Sequence, residues 1–106
     1  MMILNSKDYH CPIEKTLDVI GGKWKPIILW GLVENGVMRY GELKRYTRGI
    51  TNKVLSQQLK DLENDNIIIR RQYNQVPPKV EYSLSEDGRS LLPLLEYMCK
   101  WGEKRI

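Results

Sequence analysis

Residues 51–65 combine two kinds of side chain at helical spacing. Amide, hydroxyl and ammonium groups recur on one face of the predicted helix, and leucines recur on the opposite face at i, i+4 and i+7. Amides and hydroxyls can hydrogen-bond to base edges, and ammonium groups can bind phosphates. This chemistry favours contact with nucleic acid, although a solvated amphipathic helix gives the same pattern when it is taken alone. The polar face consists of Lys53, Ser56, Gln57 and Lys60, and the apolar face of Leu55, Leu59 and Leu62.

The predicted helix has a well-marked beginning. The Thr51 hydroxyl can accept a hydrogen bond from an unpaired amide of the first turn, and Ile50 can pack on Leu55 across that turn. Thr51 and Asn52 therefore stand at the start of the polar face and join the candidate DNA-contacting residues. We predict a helix over residues 51–65 whose polar face is available to a partner.

A short basic helix is predicted just before this one. Tyr40, Leu43 and Tyr46 recur at helical spacing, and Gly49 lies in the few residues that lead to Thr51. Two short helices joined by a tight glycine-containing turn, the second with a polar outer face, are typical of a helix-turn-helix. Basic side chains surround the first helix, where they could meet a phosphate backbone. They are Arg39, Lys44, Arg45 and Arg48.

After residue 66 the periodicity changes from helical to alternating, which predicts a hairpin over residues 67–84. Pro77 and Pro78 stiffen its loop. A projecting hairpin directly after a recognition helix is a wing, so Arg70 and Lys79 could lie along a DNA backbone or minor groove; a plain surface hairpin with solubilising charges is the alternative. Residues 38–40 are too few for more than one further rung of sheet. One side of the first strand should carry Ile67, Ile69, Arg71 and Tyr73, and one side of the return strand Val80, Tyr82 and Leu84.

Three further helices are predicted around this centre. One covers residues 12–20, a second covers about residues 24–34, and a last one begins near residue 86, where Pro93 predicts a kink near Arg89. The last helix carries more apolar side chains than one contact face uses. We therefore expect its surplus face to pack on the same helix of a second subunit in a two-fold homodimer. The residues assigned to this dimer face are Leu94, Leu95, Tyr97, Met98 and Trp101.

Length, charge and cysteine content further limit the classes of protein to which the chain can belong. The 106 residues should form one domain, with residues 1–10 as a loosely held arm. Lys and Arg total 17 against 13 Asp and Glu, and the net charge of +4 favours anionic partners. Two distant cysteines and a single histidine give no disulfide framework and no multi-ligand zinc spacing, so no metal or cofactor is expected. Without an apolar signal or membrane-length segment, a cytoplasmic setting without membrane attachment is expected.

An ordered set of motifs covers nearly the whole chain: residues 11–15 and 21–25, the leucine helix, residues 77–84, and Leu91-Leu92-Pro93 through Trp101-Gly102. Together they resemble the HxlR-type winged-helix transcription regulators. The resemblance implies a homodimeric bacterial or archaeal DNA-binding regulator, of mainly α structure with a small β-hairpin wing (α+β), in which helices at both termini build the dimer. Tyr40 stands where the family usually has Phe, and Asn66 where it usually has Gly. Asn tolerates the left-handed backbone better than other non-glycine residues.

Cys11 is a candidate thiol sensor. Some members of the family that the chain resembles sense oxidants or electrophiles through a cysteine near the N-terminus, and Cys11 falls at that position. A thiol at a helix N-terminus, with Lys15 one turn on and His10 adjacent, should carry more thiolate than an ordinary cysteine. The alternative is a cysteine without a redox role. Cys99, on the last helix, is expected to be packed apolar surface.

The sequence thus predicts a sequence-specific DNA-binding repressor or activator that acts as a homodimer and binds double-stranded DNA. Asn52 and Gln57 are the candidates for base recognition, and Lys53, Lys60 and Arg45 for phosphate binding. The alternative is a winged-helix module for protein interaction that does not recognise a DNA sequence. Catalysis ranks below both, because no nucleophile with a nearby base forms a recognisable motif. The operator and any small-molecule effector remain open. The DNA-binding candidates are Thr51, Asn52, Lys53, Ser56, Gln57, Lys60, Arg45, Arg39, Arg70 and Lys79.

Overall fold

The computed structural model describes residues 10–106, which form helices packed on one side of a small sheet. The predicted arm therefore lies almost entirely outside the described residues. The helical segments and the hairpin lie where the sequence predicts them, within one or two residues at their ends. The elements are α1 (Pro12–Ile20), α2 (Lys25–Asn35), β1 (Val37–Arg39), α3 (Tyr40–Thr47), α4 (Asn52–Asn64), β2 (Ile68–Tyr73), β3 (Lys79–Leu84), α5 (Glu86–Arg89) and α6 (Leu92–Glu103).

The sheet has three antiparallel strands in the order β1-β3-β2. Met38 and Arg70 both pair with Tyr82, so β3 is the central strand and the hairpin is joined to the helical body. The prediction of a single rung at residues 38–40 was wrong, because β1 forms three residue pairs with β3. A third strand stabilises a hairpin that would be marginal on its own in water.

The predicted composition of β2 was wrong at one residue: Ile67 lies before the strand, whereas Ile69, Arg71 and Tyr73 alternate along one side of it as predicted. Ile68, and not Ile69, faces the core: Ile68 is buried, whereas Ile69 is exposed. The chain leaves α4 through Asn66, whose φ of 62° lies in the left-handed region, and the Ile67 amide donates to the Leu62 carbonyl oxygen at 2.9 Å. Ile67 thus belongs to the end of the helix, and the alternation begins one residue later.

The last helix is divided in two instead of kinked. Pro93 lies in the first turn of α6, where its missing N–H has no helical partner to lose. The Ser85 hydroxyl accepts from the Gly88 amide at 2.9 Å, donates toward the Asn66 carbonyl oxygen at 2.7 Å, and so fixes α5 against the end of α4. The break falls at residues 90–91, one residue beyond the expected kink near Arg89.

The core lies between α2, α3, α4 and the sheet and holds α4 by its leucine face. No helix within residues 10–106 is long and apolar enough to cross a membrane. The side chains that are almost wholly removed from solvent are Ile28, Leu29, Leu32, Leu43, Leu55, Leu62 and Ile68.

Candidate nucleic-acid interface

The turn between α3 and α4 is built from a left-handed backbone and a side-chain cap. Arg48 and Gly49 have φ angles of 53° and 91°, which bring the chain round in two residues. The Thr51 Oγ1 accepts from the Val54 amide at 3.2 Å, so the predicted cap is confirmed. Ile50 and Leu55 are both buried in the core at this start. The two helices are consequently fixed relative to each other on both sides of the turn.

The two faces of α4 are divided as the leucine spacing predicts. Leu55, Leu59 and Leu62 are at most 2 % exposed, so the helix cannot rotate without opening the core. The opposite face is open to solvent along three turns. Its exposed side chains are Thr51, Asn52, Lys53, Ser56, Gln57 and Lys60, which are all the candidates that the sequence placed on this helix.

A tyrosine of α3 contacts the polar face of α4. The Tyr40 hydroxyl lies 3.1 Å from both the Asn52 carbonyl oxygen and the Asn52 Oδ1, and 3.2 Å from the Ser56 Oγ. The spacing of Tyr40, Leu43 and Tyr46 predicts that they share one face of α3, but it does not predict which group the Tyr40 hydroxyl contacts. The signal in the sequence that could have indicated this contact is the position of Tyr40 on the helix just before the polar face of α4.

A second set of contacts supports Gln57. Its Nε2 donates to the Asp61 Oδ1 at 2.9 Å, one turn along the helix. The Asp61 Oδ2 lies 3.7 Å from the Nζ of Lys25, whose side chain is 11 % exposed. Local sequence pattern does not indicate Lys25 or Asp61, because their contact joins residues on helices that are far apart in the chain.

The basic candidates of α3 and β1 are less closely associated with α4. Arg39 and Arg45 are exposed. Arg45 lines a cleft between α2, β1 and α3 together with Asn35 and Glu42. Five residues separate it from Tyr40, which is about 140° around a helix, so the two side chains leave different sides of α3. The structure does not bring Arg45 onto the polar face of α4.

The wing candidates lie on opposite faces of the hairpin. Arg70 pairs with Tyr82 and Lys79 pairs with Tyr73, and residues 70 and 73 are an odd number apart. The Lys79 Nζ lies 3.5 Å from a Glu81 carboxylate oxygen and 4.4 Å from the centre of the Tyr73 ring. Arg70 is exposed. Of the two, Arg70 is the one available to a partner without breaking a cation–π contact or an ion pair.

Tyr46, also on α3, contacts α2 and not the polar face of α4. Its hydroxyl donates to the Glu34 carboxylate at 2.7 Å. Burial, together with this hydrogen bond and the negative charge of Glu34, raises the pKa of Tyr46 to about 12. The phenol therefore stays neutral and joins α3 to α2.

An apolar surface is formed by α1 and α6. Leu17 of α1 and Leu94 and Met98 of α6 line a groove of about 370 Å³. Tyr97 and Trp101 extend this surface, with 67 % and 54 % of their area exposed. The assignment of Leu95 to a dimer face was wrong, because its side chain is 3 % exposed and belongs to the core of its own chain.

The two cysteines lie in different environments. Cys11 is exposed and caps α1, and its amide donates to a Glu14 carboxylate oxygen at 3.4 Å. Cys99 lines an apolar cleft with Trp30 and Leu95, as expected for packed surface. Across residues 10–106, His, Cys, Asp and Glu side chains form no group that could hold a metal ion.

Known proteins share this fold and the helix-turn-helix that contains α4. The family model described as HxlR-like helix-turn-helix matches residues 19–106. The chain belongs to this family. The resemblance inferred from the motifs is therefore confirmed, and the protein is an HxlR-family transcriptional regulator with an α+β winged helix-turn-helix fold.

Relatives of this HxlR-family chain are similar over most of their length. The MalR protein of Fusobacterium mortiferum is 60 % identical over 96 residues, which is 91 % of each chain. The helix-turn-helix-type transcriptional regulator YtcD of Bacillus subtilis is 53 % identical over 97 % of this chain and 81 % of its own length. The oxidised form of the redox regulator HypR superposes with a TM-score of 0.85 at 51 % identity, over 89 % of this chain and 96 % of HypR.

Proposed function

We propose that this HxlR-family regulator binds specific sequences of double-stranded DNA as a homodimer, with α4 in the major groove. The observation that carries the proposal is the division of α4. Its leucine face is fixed in the core, while amide, hydroxyl and ammonium groups lie exposed along the opposite face. A rigid helix with this exposed chemistry suits the recognition position of a helix-turn-helix.

The candidate residues then take different roles. Asn52 and Gln57 carry amides that can pair with base edges, and Ser56 lies between them on the exposed face. Lys53 and Lys60 carry charge without an acidic partner among residues 10–106, which suits phosphate binding. Thr51 caps the helix, and the exposed Arg39 and Arg45 can bind phosphates outside the polar face of α4. In the β2–β3 wing, Arg70 is better placed than Lys79 for the flanking minor groove.

The homodimer is proposed from the exposed apolar surface of α1 and α6. Isolated apolar side chains are common on protein surfaces, but a contiguous set on two adjacent helices is the usual mark of an interface. A two-fold dimer would present two copies of α4, so two half-sites about one helical turn, ~10 bp, apart or a small multiple of it are expected. Action on the chromosome implies a cytoplasmic location.

Selection of bound fragments from genomic DNA tests the proposal, followed by titration of the selected duplex at several salt concentrations. We expect a recurring two-fold sequence motif, and binding of that duplex well above random duplex at the same salt. A protein-interaction module would enrich no motif. Its affinity would also be the same for all duplex sequences at each salt concentration. That result would reject the proposed function.

Thiol responsiveness is a second proposal, and the exposed position of Cys11 supports it. Its Sγ belongs to the residue that caps α1, so a modification there acts on a helix of the proposed dimer surface. The similar protein HypR is a redox regulator. In the presence of a small thiol, diamide joins the Cys11 Sγ and the sulfur of that thiol in one mixed disulfide and takes up their two hydrogens, so this pair is a suitable oxidising treatment. We expect diamide to change the DNA affinity of the parent protein and of Cys99→Ser, but not of Cys11→Ser. An unchanged response in Cys11→Ser would remove Cys11 from the proposal.

A further inference from the structure

The Tyr40 hydroxyl is the one group of α3 that makes a described side-chain hydrogen bond to the exposed face of α4, counting residues 10–106. It lies 3.1 Å from the Asn52 Oδ1, 3.1 Å from the Asn52 carbonyl oxygen and 3.2 Å from the Ser56 Oγ. A phenol has one hydrogen to donate and can also accept. It can therefore donate to an Asn52 oxygen while the Ser56 hydroxyl donates to it.

The Tyr40 hydroxyl faces the Oδ1 end of the Asn52 amide. Because Oδ1 faces the Tyr40 hydroxyl, the Nδ2 amino group is on the other side of the side chain. No side chain or backbone oxygen within residues 10–106 accepts from that amino group. Asn52 is also exposed, so its amino group is presented to a partner as a donor. The acceptors on the major-groove edge are N7 and O6 of guanine, N7 of adenine and O4 of thymine.

We propose that Tyr40 is a specificity-determining positioning residue, whose hydroxyl holds Asn52 and Ser56 so that the Asn52 amino group meets an acceptor in the major groove. The proposal rests on the DNA binding by α4 proposed above. Tyr40 itself need not touch DNA. Its ring is half-buried against the core, and its hydroxyl is directed at α4.

The physical effect is preorganisation. A free Asn52 side chain would sample several orientations, and ordering it on binding would reduce the affinity for the correct site. One hydrogen bond in a partly exposed position changes such an equilibrium by about two- to tenfold. Non-specific binding depends on charge and phosphate contacts, and Tyr40 is uncharged, so its loss should alter non-specific binding less.

The test compares Tyr40→Phe with the parent protein, with Tyr46→Phe as the matched control. Tyr46→Phe also removes one phenolic hydroxyl from α3, but that hydroxyl contacts Glu34 and not α4. Each protein is used to select duplexes from a random pool, and its affinity for the parent's selected duplex and for random duplex is measured. We expect Tyr40→Phe to lose about two- to tenfold in the ratio of these affinities and to relax the base preference in each half-site. Tyr46→Phe should keep both.

A double-mutant cycle separates positioning from direct contact. If Tyr40 acts through Asn52 and Ser56, then Tyr40→Phe should have no further effect on the affinity ratio in an Asn52→Ala/Ser56→Ala background. A loss in the affinity ratio that persists there would show a direct base contact by Tyr40, and a loss equal on all sequences would show a direct backbone contact; either result would overturn the inference. An unchanged preference in Tyr40→Phe would overturn it as well. If the parent protein selects no sequence at all, it is the proposed function itself that fails.

Discussion

Gln57 and Lys60 share the exposed face of α4 but should contribute to binding in different ways. Gln57 carries an amide suited to a base edge, and its Nε2 is already oriented by Asp61 at 2.9 Å. Replacing Gln57 by Ala should cost about 1–3 kcal/mol on the selected duplex and little on random duplex. Lys60→Ala should weaken both and reduce the slope of log K against log salt by about 1. Titrations of the two duplexes at four salt concentrations measure both effects, and equal losses for the two variants on every sequence would contradict this division of roles.

The Lys25–Asp61 pair gives a residue-scale prediction about stability. Lys25 keeps only 11 % of its side chain exposed, whereas 37 % of Asp61 is exposed, so solvent weakens the attraction across 3.7 Å. Asp61→Asn removes the negative charge and retains an acceptor for Gln57. We expect it to lower the free energy of unfolding by about 1 kcal/mol, because the Lys25 charge is left without its partner. Lys25→Met keeps a long apolar stem and should cost less. Urea unfolding of both variants measures this difference, and a larger loss in Lys25→Met would show that Lys25 acts through packing.

At the scale of the element, the beginning of α4 depends on Thr51. Its hydroxyl accepts the Val54 amide at 3.2 Å, and no other group within residues 10–106 serves that amide. Thr51→Ala should lower the free energy of unfolding by about 1 kcal/mol, and Thr51→Ser, which keeps the hydroxyl, by a few tenths at most. Urea unfolding without DNA separates this effect from any loss of DNA contact. If the two variants were equally stable, the cap would contribute nothing.

The elements also show how far the sequence could predict this fold. The leucine spacing placed α4 and its buried face correctly, since a helical period is a local property of the chain. Ile67 was wrongly placed in β2, because its amide donates to the Leu62 carbonyl oxygen at the end of α4, a contact that alternation alone does not encode. The contacts of Tyr40 with Asn52, and of Lys25 with Asp61, join separate helices. They depend on tertiary packing, and so the supporting residues of the candidate site could not be found from local pattern.

At the scale of the whole molecule, the surface of α1 and α6 decides the proposed assembly. Leu94 and Met98 are 38 % and 44 % exposed and line the groove, so they can be changed without opening the core. Leu94→Gln/Met98→Gln replaces two apolar side chains by amides of similar size. Each substitution is present in both subunits of a two-fold interface, so the double variant loses four apolar contacts. At about 1 kcal/mol for each contact, the free energy of dimerisation becomes less favourable by about 4 kcal/mol.

The dissociation constant of the proposed dimer should therefore rise about a thousandfold in the double variant. Glu96→Gln is the matched control, because it introduces an amide on α6 and removes no apolar surface. Sedimentation over a range of concentrations measures the dimer, and unfolding of the variants verifies that the fold is intact. On DNA, the double variant should bind a single half-site as the parent does but lose the added affinity of two, since that gain comes from linking two α4 helices in one particle. A double variant that stays as dimeric as the parent would place the subunit interface on another surface, and the expected half-site spacing would then have to be derived from that surface.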